Sequence, residues 1–508
     1  MEEGRGSPAA AAAEWIVLDP YVRSSRRRRH KYEEEDVTAS KVGRTCTGFP
    51  VRASLRVADP PAVSRLYLHC PPHWPAADLP EVRYPDVIAA HRGCILFVAA
   101  VPFEEPEFNV DGHYPLDYFV YSASPSSSQP SLTRLPRCFV GGFTDPEEDE
   151  LYQPYHQQRQ RYMCSRDVGL LCRRGGDGED GRSLFTVAVA DLTSGGGSKE
   201  VELCVLRSGE SAEEEWRITP LRVRRAMGKL GLDLGEWRSD AVLPLHDRFL
   251  CWVDYYQGIL LIDVLNPGDE PHQFSFIPLP KSIRHGSSSS SSRLFSQSYC
   301  ADPVRCVCVR GSSNNGSSFI KLICVAIAAA ADKDVYPPAF TITAWTLISK
   351  TWELDFTMEA AEFWDLCASV GHALPRAVPT FPHLSLVDPG VVSFLLMEKI
   401  DDEFLFWIVE LDMANKVLRS LPTLYIQVDE EEDGDDEKKK VQEKSATESN
   451  DAEAKTREGN AKETSERNAR DSSFGQNKLK QKAKQGMESQ KRETKAHLSN
   501  TLAGLKIV

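Results

Sequence analysis

No apolar run in this 508-residue chain reaches the ~18–20 residues needed to cross a bilayer as a helix. The longest candidate, residues 320–331, is interrupted at Lys321 and fades into alanines. A membrane-spanning helix is therefore not expected. Surplus positive charge is missing as well. Lys and Arg number 60 against 74 Asp and Glu, a formal net charge of -14, which opposes general affinity for nucleic acid or an anionic membrane surface. The opening Met-Glu-Glu-Gly-Arg-Gly has no basic segment leading into a leucine-rich core, so a secretory signal is not expected. Motifs of nucleophilic and phosphate chemistry are absent too: there is no G-x-S-x-G elbow and no Walker-type loop. None of the 13 cysteines stands at the C-x₂₋₄-C spacing of a structural zinc site. Helical periodicity is scarce, and residues 221–230 and 360–370 are the best candidates for it.

What is present is β pattern. Apolar residues make up 41% and charged residues 26%, as in globular proteins. From residue 51 to residue 427 short apolar runs of strand length alternate with turn residues. Five units share one outline, an apolar hairpin followed by a second hairpin whose last strand ends in a polar or Leu-Pro turn. Their second hairpins begin near residues 118, 185, 259, 340 and 404. That spacing exceeds the ~40–50 residues of a typical propeller blade, and long Ser- and Gly-rich loops account for the excess. In Phe340-Thr-Ile-Thr-Ala-Trp-Thr-Leu, Phe340, Ile342 and Ala344 point one way, and the phase blurs after Trp345. The fold expected is mainly β, a β-propeller-like body of about six blades if residues 15–70 supply the sixth.

Composition divides the chain. Residues 1–13 are rich in Gly and Ala and are expected to be disordered. Residues 14–427 form the β-rich body. Residues 428–508 contain a single aromatic residue, Phe474, and are expected to be a disordered tail dispensable for folding, because so polar a segment cannot offset its ordering entropy. The tail is charge-polarised: residues 429–471 hold 16 acidic and 9 basic residues, residues 478–508 hold 8 basic and 2 acidic.

Several groups invite a chemical reading, and each has a structural one beside it. Cys306 and Cys308 fall on one face of a strand, where core packing is the simpler role. His69 and His73 have H-x-x-x-H spacing, but Pro71 and Pro72 between them exclude the helix that would present both to a metal. His246-Asp247 reads as a turn before a strand rather than a catalytic pair. Residues 176–181 match G-x-G-x-x-G formally, yet a strand pattern follows and three acids would repel phosphate. Asp254 reads as a turn cap, Gly258 as a residue free to take φ > 0, and Asn415 as the left-handed residue of a tight turn. Trp252 reads as a core anchor. Residues 26–31 (Arg-Arg-Arg-Arg-His-Lys) read either as a nuclear-import signal or as a basic loop facing residues 33–36 (Glu-Glu-Glu-Asp). No catalytic, cofactor-binding or metal-binding residue is assigned.

A resemblance sharpens this picture. Residues 251–280 read Cys-Trp-Val-Asp-Tyr-Tyr-Gln-Gly-Ile-Leu-Leu-Ile-Asp-Val-Leu, then Asn-Pro-Gly-Asp-Glu-Pro-His, then Gln-Phe-Ser-Phe-Ile-Pro-Leu-Pro. Residues 60–71, Val-Ile-Ala-Ala-His at 87–91 and Phe-Pro-His-Leu-Ser-Leu-Val-Asp-Pro-Gly at 381–390 accompany it. Together they resemble the plant domain of unknown function 1618 family expanded in grasses, with its core at residues 240–400. The resemblance implies a β-rich body similar to the propeller-like domains of plant F-box proteins. Residues 1–50 have no helical F-box pattern, so a ubiquitin-ligase receptor role is not supported. It implies no activity, no cofactor and no catalytic residues. The function favoured is a non-catalytic protein-interaction scaffold with a protein partner, basic if the acidic run at 429–437 engages it. The alternative is an enzyme of hydrolase type with a site in the central channel. Many cysteines, among them Cys94, Cys204 and Cys324, sit inside apolar runs as reduced thiols do, so a cytoplasmic or nuclear location is expected.

Overall fold

The computed structural model describes residues 16–25, 36–59, 62–71, 86–102, 115–123, 129–139, 160–174, 183–190, 192, 201–209, 215–221, 237–265, 274–284, 304–310, 319–328, 339–369, 374–385, 388–400, 403–425 and 506–507. The chain divides into two units: residues 1–423 with 499–508, and residues 424–498. In the second unit only Leu424 and Tyr425 lie among the described residues. Among the described residues no helix is long and apolar enough to cross a membrane.

The first unit is six small sheets arranged in a ring like a six-bladed β-propeller. Sheet 1 is built from β1 (Val17–Leu18), β2 (Arg23–Ser25), β3 (Gly43–Arg44), β4 (Pro50–Arg56) and β5 (Val63–His69). Sheet 2 holds β6 (Asp86–His91), β7 (Cys94–Ala100), β8 (Leu116–Ser122) and β9 (Ser131–Arg134). Sheet 3 holds β10 (Val168–Arg174), β11 (Ser183–Ala190), β12 (Val201–Arg207) and β13 (Arg217–Leu221). Sheet 4 holds β14 (Ala241–Leu245), β15 (Phe249–Asp254), β16 (Gly258–Asp263) and β17 (Phe274–Pro278), followed by the one-turn α1 (Lys281–Arg284). Sheet 5 holds β18 (Arg305–Arg310), β19 (Phe319–Ile327), β20 (Phe340–Ile348) and β21 (Thr351–Glu359), and α2 (Ala360–Ser369) follows it. Sheet 6 is β22 (Thr380–Leu384), β23 (Val391–Ile400), β24 (Glu403–Asp412) and β25 (Val417–Leu418); β26 (Thr423–Tyr425) comes next, and β27 (Lys506–Ile507) ends the chain.

Sheets 2 to 5 are antiparallel meanders in strict chain order, the topology that short hairpin connections dictate. Their first strands stand side by side, β6 by β10, β10 by β14, β14 by β18, and β18 by β22. Sheet 1 differs. Its β1 and β2 run parallel to β5, and β27 pairs antiparallel with β1 through Val17↔Ile507 and Leu18↔Lys506. The expectation of a tail over residues 428–508 thus meets a correction at its end, where two residues return to pair with the first sheet. The rest of that segment, like residues 1–13, lies outside the described residues.

Middle strands such as β7 and β15 are apolar on both faces because each face meets a different neighbour. In β7, Leu96 and Val98 pack towards sheet 3, while Ile95, Phe97 and Ala99 pack towards sheet 1. In β15, Leu250 and Trp252 join sheet 3, while Cys251 and Val253 join sheet 5. Ile323, Phe340 and Ile342 of sheet 5 meet Val392, Phe394 and Leu396 of sheet 6, and the helix α2 seals that seam with Phe363. Ring contacts between Phe363 and Phe340 (5.8 Å) and Phe394 (6.2 Å) are edge-on, the arrangement that aromatic quadrupoles favour.

Indole N–H groups fasten successive sheets. Trp216 donates to the Pro136 carbonyl across sheets 3 and 2 (2.8 Å), and Trp352 to the Pro278 carbonyl across sheets 5 and 4 (2.8 Å). Trp252, fully buried, donates to the Asp167 carbonyl just before sheet 3 (3.2 Å). Arg305 makes the equivalent tie for sheet 5. Its guanidinium donates to the Tyr255 carbonyl (2.5 Å) and lies over the Tyr256 ring (4.7 Å).

Two outcomes are expected. Trp252→Ala leaves a cavity in the seam between sheets 3 and 4 and removes the indole hydrogen bond to the Asp167 carbonyl, so it destabilises by ~3–5 kcal/mol, measured by urea denaturation; a change within error would make Trp252 something other than a seam anchor. Truncation after Gln427 removes β27 and lowers the thermal midpoint, whereas an internal deletion of residues 430–495 that keeps β27 does not; equal midpoints would show that the β27 pairing contributes nothing.

Candidate functional site at the inner strand ends

The ends of β6, β10 and β14 bring polar residues of three sheets together. The connection from β6 to β7 is a two-residue hairpin, with His91 paired to Cys94 across Arg92-Gly93. Both turn residues have positive φ, 47° at Arg92 and 78° at Gly93. Such a turn matches the twist of the strands it joins, and glycine meets its second position without strain. The connection from β14 to β15 carries another left-handed residue, His246 at φ 52°. Arg92 reaches Asp247 across the end of β10, at 2.5 Å. About half of each side chain is exposed, so the pair contributes ~0–1 kcal/mol at most.

Behind this ion pair sits His91. Its Nδ1 accepts a hydrogen bond from the Cys172 backbone N–H at 2.8 Å, which places the neutral ring's proton on Nε2. Burial, with repulsion from Arg92 added and attraction to Asp247 opposing, holds its pKa down at about 4 against the usual 6.5. The imidazole is therefore neutral throughout the physiological range. It holds β10 against the β6–β7 hairpin and is not poised to exchange protons near neutrality. His383 on β22 is likewise brought down to about 4 by burial.

The remaining groups distinguished by sequence fall in separate places. His246-Asp247 forms a turn, as expected, and the Asp247 carboxylate pairs with Arg92 of another sheet. Cys306 and Cys308 share one face of β18 with their sulfurs 3.5 Å apart. His69 ends β5 and pairs through Nε2 with the Ser54 hydroxyl (2.8 Å), and His73 lies outside the described residues. Among the described residues no group of three or more His, Cys, Asp or Glu is placed to hold a metal ion. Residues 26–35 and 176–181 lie outside the described residues.

Asp254 is a turn cap. Its buried carboxylate accepts from the backbone N–H groups of Tyr256 (2.8 Å), Gln257 (3.0 Å) and Arg238 (3.0 Å). Gly258 needs a correction. It is not among the positive-φ residues; instead a Cβ there would meet the Ile277 carbonyl oxygen at 2.4 Å and the Phe276 ring at 2.5 Å. Close approach of β17, rather than backbone conformation, requires the glycine. In the turn after β24 the left-handed residue is Lys416, not Asn415, because Asn415 donates its backbone and side-chain N–H groups to Asp412. Sequence reading missed Arg92. An Arg-Gly step between two apolar runs was the available signal for the turn, but nothing local shows which distant carboxylate it meets.

Burial of neutral His91 and His383 makes stability pH-dependent. Between the unfolded value of 6.5 and the folded value of about 4 the unfolded chain binds more protons, so stability rises with pH across that window. We expect full stability above pH ~6.5, progressive loss from there to pH ~4, and a flatter profile in the His91→Gln/His383→Gln variant. A variant profile parallel to wild type, followed by thermal denaturation, would remove both histidines as the cause.

Comparison with known proteins places part of the chain. Residues 252–393, from β15 into β23, match the family described as Protein of unknown function (DUF1618). A search of curated proteins finds no match. Among solved structures the crystal structure of polysaccharide lyase Uly1 aligns at 10% identity over 80% of this chain and 96% of that one, with a TM-score of 0.25, a likeness too slight to carry an argument about fold or activity.

Proposed function

We propose that the protein is a non-catalytic interaction scaffold whose rim strand β21 accepts a basic, extended segment of a protein partner. The observation supporting this reading is the character of that strand. It is nine residues long, it is the outer edge of sheet 5, and most of it is exposed. Long edges with unpaired backbone groups invite another strand, and proteins commonly blunt them with lysine, proline or shortness. The strand itself contains neither lysine nor proline. Phe356 and Met358 turn into the seam with sheet 6; the bulge opposite Ala344 and Trp345 breaks the alternation, so that Glu353 stands across from Thr346 and Glu359 across from Thr341, on opposite faces of the edge and both exposed. Leu354, about half exposed, adds apolar area beside the acids.

A strand added at this edge would gain backbone hydrogen bonds, and basic side chains on both of its faces would meet the exposed acids. Asp355 is partly neutralised by Lys321 at 3.2 Å, so Glu353 and Glu359 are the strand's stronger contributors. The acidic run at residues 429–437 would raise the encounter rate with the same partner, an effect that salt screens.

The test uses the full chain and a labelled strand-forming peptide that carries lysine on both faces among valines. Wild type should bind it, more weakly as salt rises, and Glu353→Lys/Glu359→Lys should weaken binding by about tenfold or more, since two unfavourable contacts replace two favourable ones. Equal binding by both proteins, or binding insensitive to salt, would set the reading aside.

A further inference from the structure

The seam between sheets 2 and 3 contains four cysteines, Cys94, Cys138, Cys172 and Cys204. Two of them meet. Cys94 opens β7 directly after the Arg92-Gly93 turn, and Cys172 lies near the end of β10 in the neighbouring sheet. Their sulfurs are 2.6 Å apart, and both residues are buried. The placement is fixed from both sides. The tight hairpin sets Cys94, and the hydrogen bond from the Cys172 backbone N–H to His91 Nδ1 sets β10 against that hairpin. The Ser122 hydroxyl lies 3.4 Å from the Cys94 sulfur.

We propose that Cys94 and Cys172 are an oxidation site, at which a small peroxide converts the two thiols into a disulfide joining sheet 2 to sheet 3. The Cys94 thiolate attacks one peroxide oxygen and the O–O bond breaks. This gives a Cys94 sulfenic acid and hydroxide, which takes up the proton released when the thiol ionised. The Cys172 sulfur then attacks the Cys94 sulfur, the S–O bond breaks, and water leaves with the Cys172 proton. The net change is two thiols and one hydrogen peroxide to one disulfide and two waters, with two electrons passing from sulfur to oxygen. Attack and resolution of this kind require a resolving thiol beside the first.

The order of the two roles follows from the contact. Either sulfur can donate to the other, and the Ser122 hydroxyl 3.4 Å from the Cys94 sulfur supplies a further donor to its thiolate, favouring Cys94 as the attacking sulfur against the opposing effect of burial. Burial limits the oxidant to one of about water size. The thiol pair of sheet 5 is placed less well. Cys306 and Cys308 are two apart on one extended strand, where their Cα atoms stand ~6.6 Å apart, near the upper limit of ~6.8 Å for a disulfide. Their sulfurs are also farther apart, at 3.5 Å. Cys138 and Cys204 share the seam and hydrogen-bond to each other, and they serve as an internal comparison.

The experiment treats the reduced full-length chain with hydrogen peroxide, quenches in acid, alkylates remaining thiols under denaturing conditions and maps unreduced peptides by mass spectrometry. The expected result is a cross-linked peptide pair containing Cys94 and Cys172, with alkylation lost at both together and restored by dithiothreitol. In Cys172→Ser, Cys94 should instead be captured as a sulfenic acid by dimedone. In Cys94→Ser, Cys172 should remain fully alkylatable. Full alkylation of Cys94 and Cys172 in oxidised wild type would overturn the proposal, as would a cross-link at Cys138–Cys204 or Cys306–Cys308 without one at Cys94–Cys172. The wild-type map decides the matter even if either variant fails to fold.

Discussion

Everything in the first unit depends on strands that are apolar on both faces. A sheet of this kind cannot face water on either side, so each must be covered twice. Arranging the sheets around an axis meets that demand with short connections. Alternate residues of one strand then belong to different cores: Leu250 and Trp252 to the seam with sheet 3, Cys251 and Val253 to the seam with sheet 5. No seam is independent of its neighbours, because β15 packs into two of them at once. Contributions of ~25 cal/mol per Å² of apolar surface therefore accumulate around the ring, and no sheet can leave without exposing two others.

Directionality comes from the polar groups within those seams. Apolar packing tolerates sliding, whereas an indole N–H or a guanidinium selects one carbonyl. The donors are Trp216, Trp252, Trp352 and Arg305, and their acceptors sit at strand ends and turns of the preceding sheet. At Asp167 the carbonyl is shared with the Ala190 N–H, so there the indole adds direction to a bond already made. Buried carboxylates act in the same way. Asp254 gathers three backbone N–H groups at one turn, and Asp117 accepts from the Cys46 N–H at 2.6 Å and so anchors sheet 1 on sheet 2. A carboxylate held by several N–H donors, as Asp254 is, has a structural role.

The strands and their grouping were legible in the sequence because period-2 alternation is local. Alternation in β20 was read through Ala344 and lost at Trp345, and a β-bulge between those residues in the β20–β21 register is the cause. The helix at 360–369 was recognised from its periodicity. The first strand of sheet 4, Ala241–Leu245, was missed because Pro244 interrupts its pattern; only edge strands accept proline, and β14 is one. Sheet 1 was the least legible, since its β1 and β2 pair in parallel with a strand some forty residues on and its last strand comes from the far end of the chain. Of the inner-end cluster, only His246-Asp247 drew notice. The meeting of Arg92 with Asp247, and of Cys94 with Cys172, depends on which hairpins the ring makes neighbours, and one sequence does not display that.

The same closure that stabilises the ring decides where function can reside. Residues in the seams serve two cores and change only at large cost, so recognition has to use what the ring leaves uncovered: strand ends near the axis, and the outer edges. At the ends of β6 and β14 Arg92 is matched with Asp247, and the histidine behind them is neutral and hydrogen-bonded to backbone. The outer edge of sheet 5 is different. There Glu353, Asp355 and Glu359 stand exposed on a strand whose outer side, among the described residues, has no further partner in its sheet. A matched cluster has little electrostatic work left to do with a ligand, whereas exposed acids beside open backbone groups offer both charge and hydrogen bonds to an incoming chain. The imbalance between axis and rim is the physical reason to look for a protein partner at the rim.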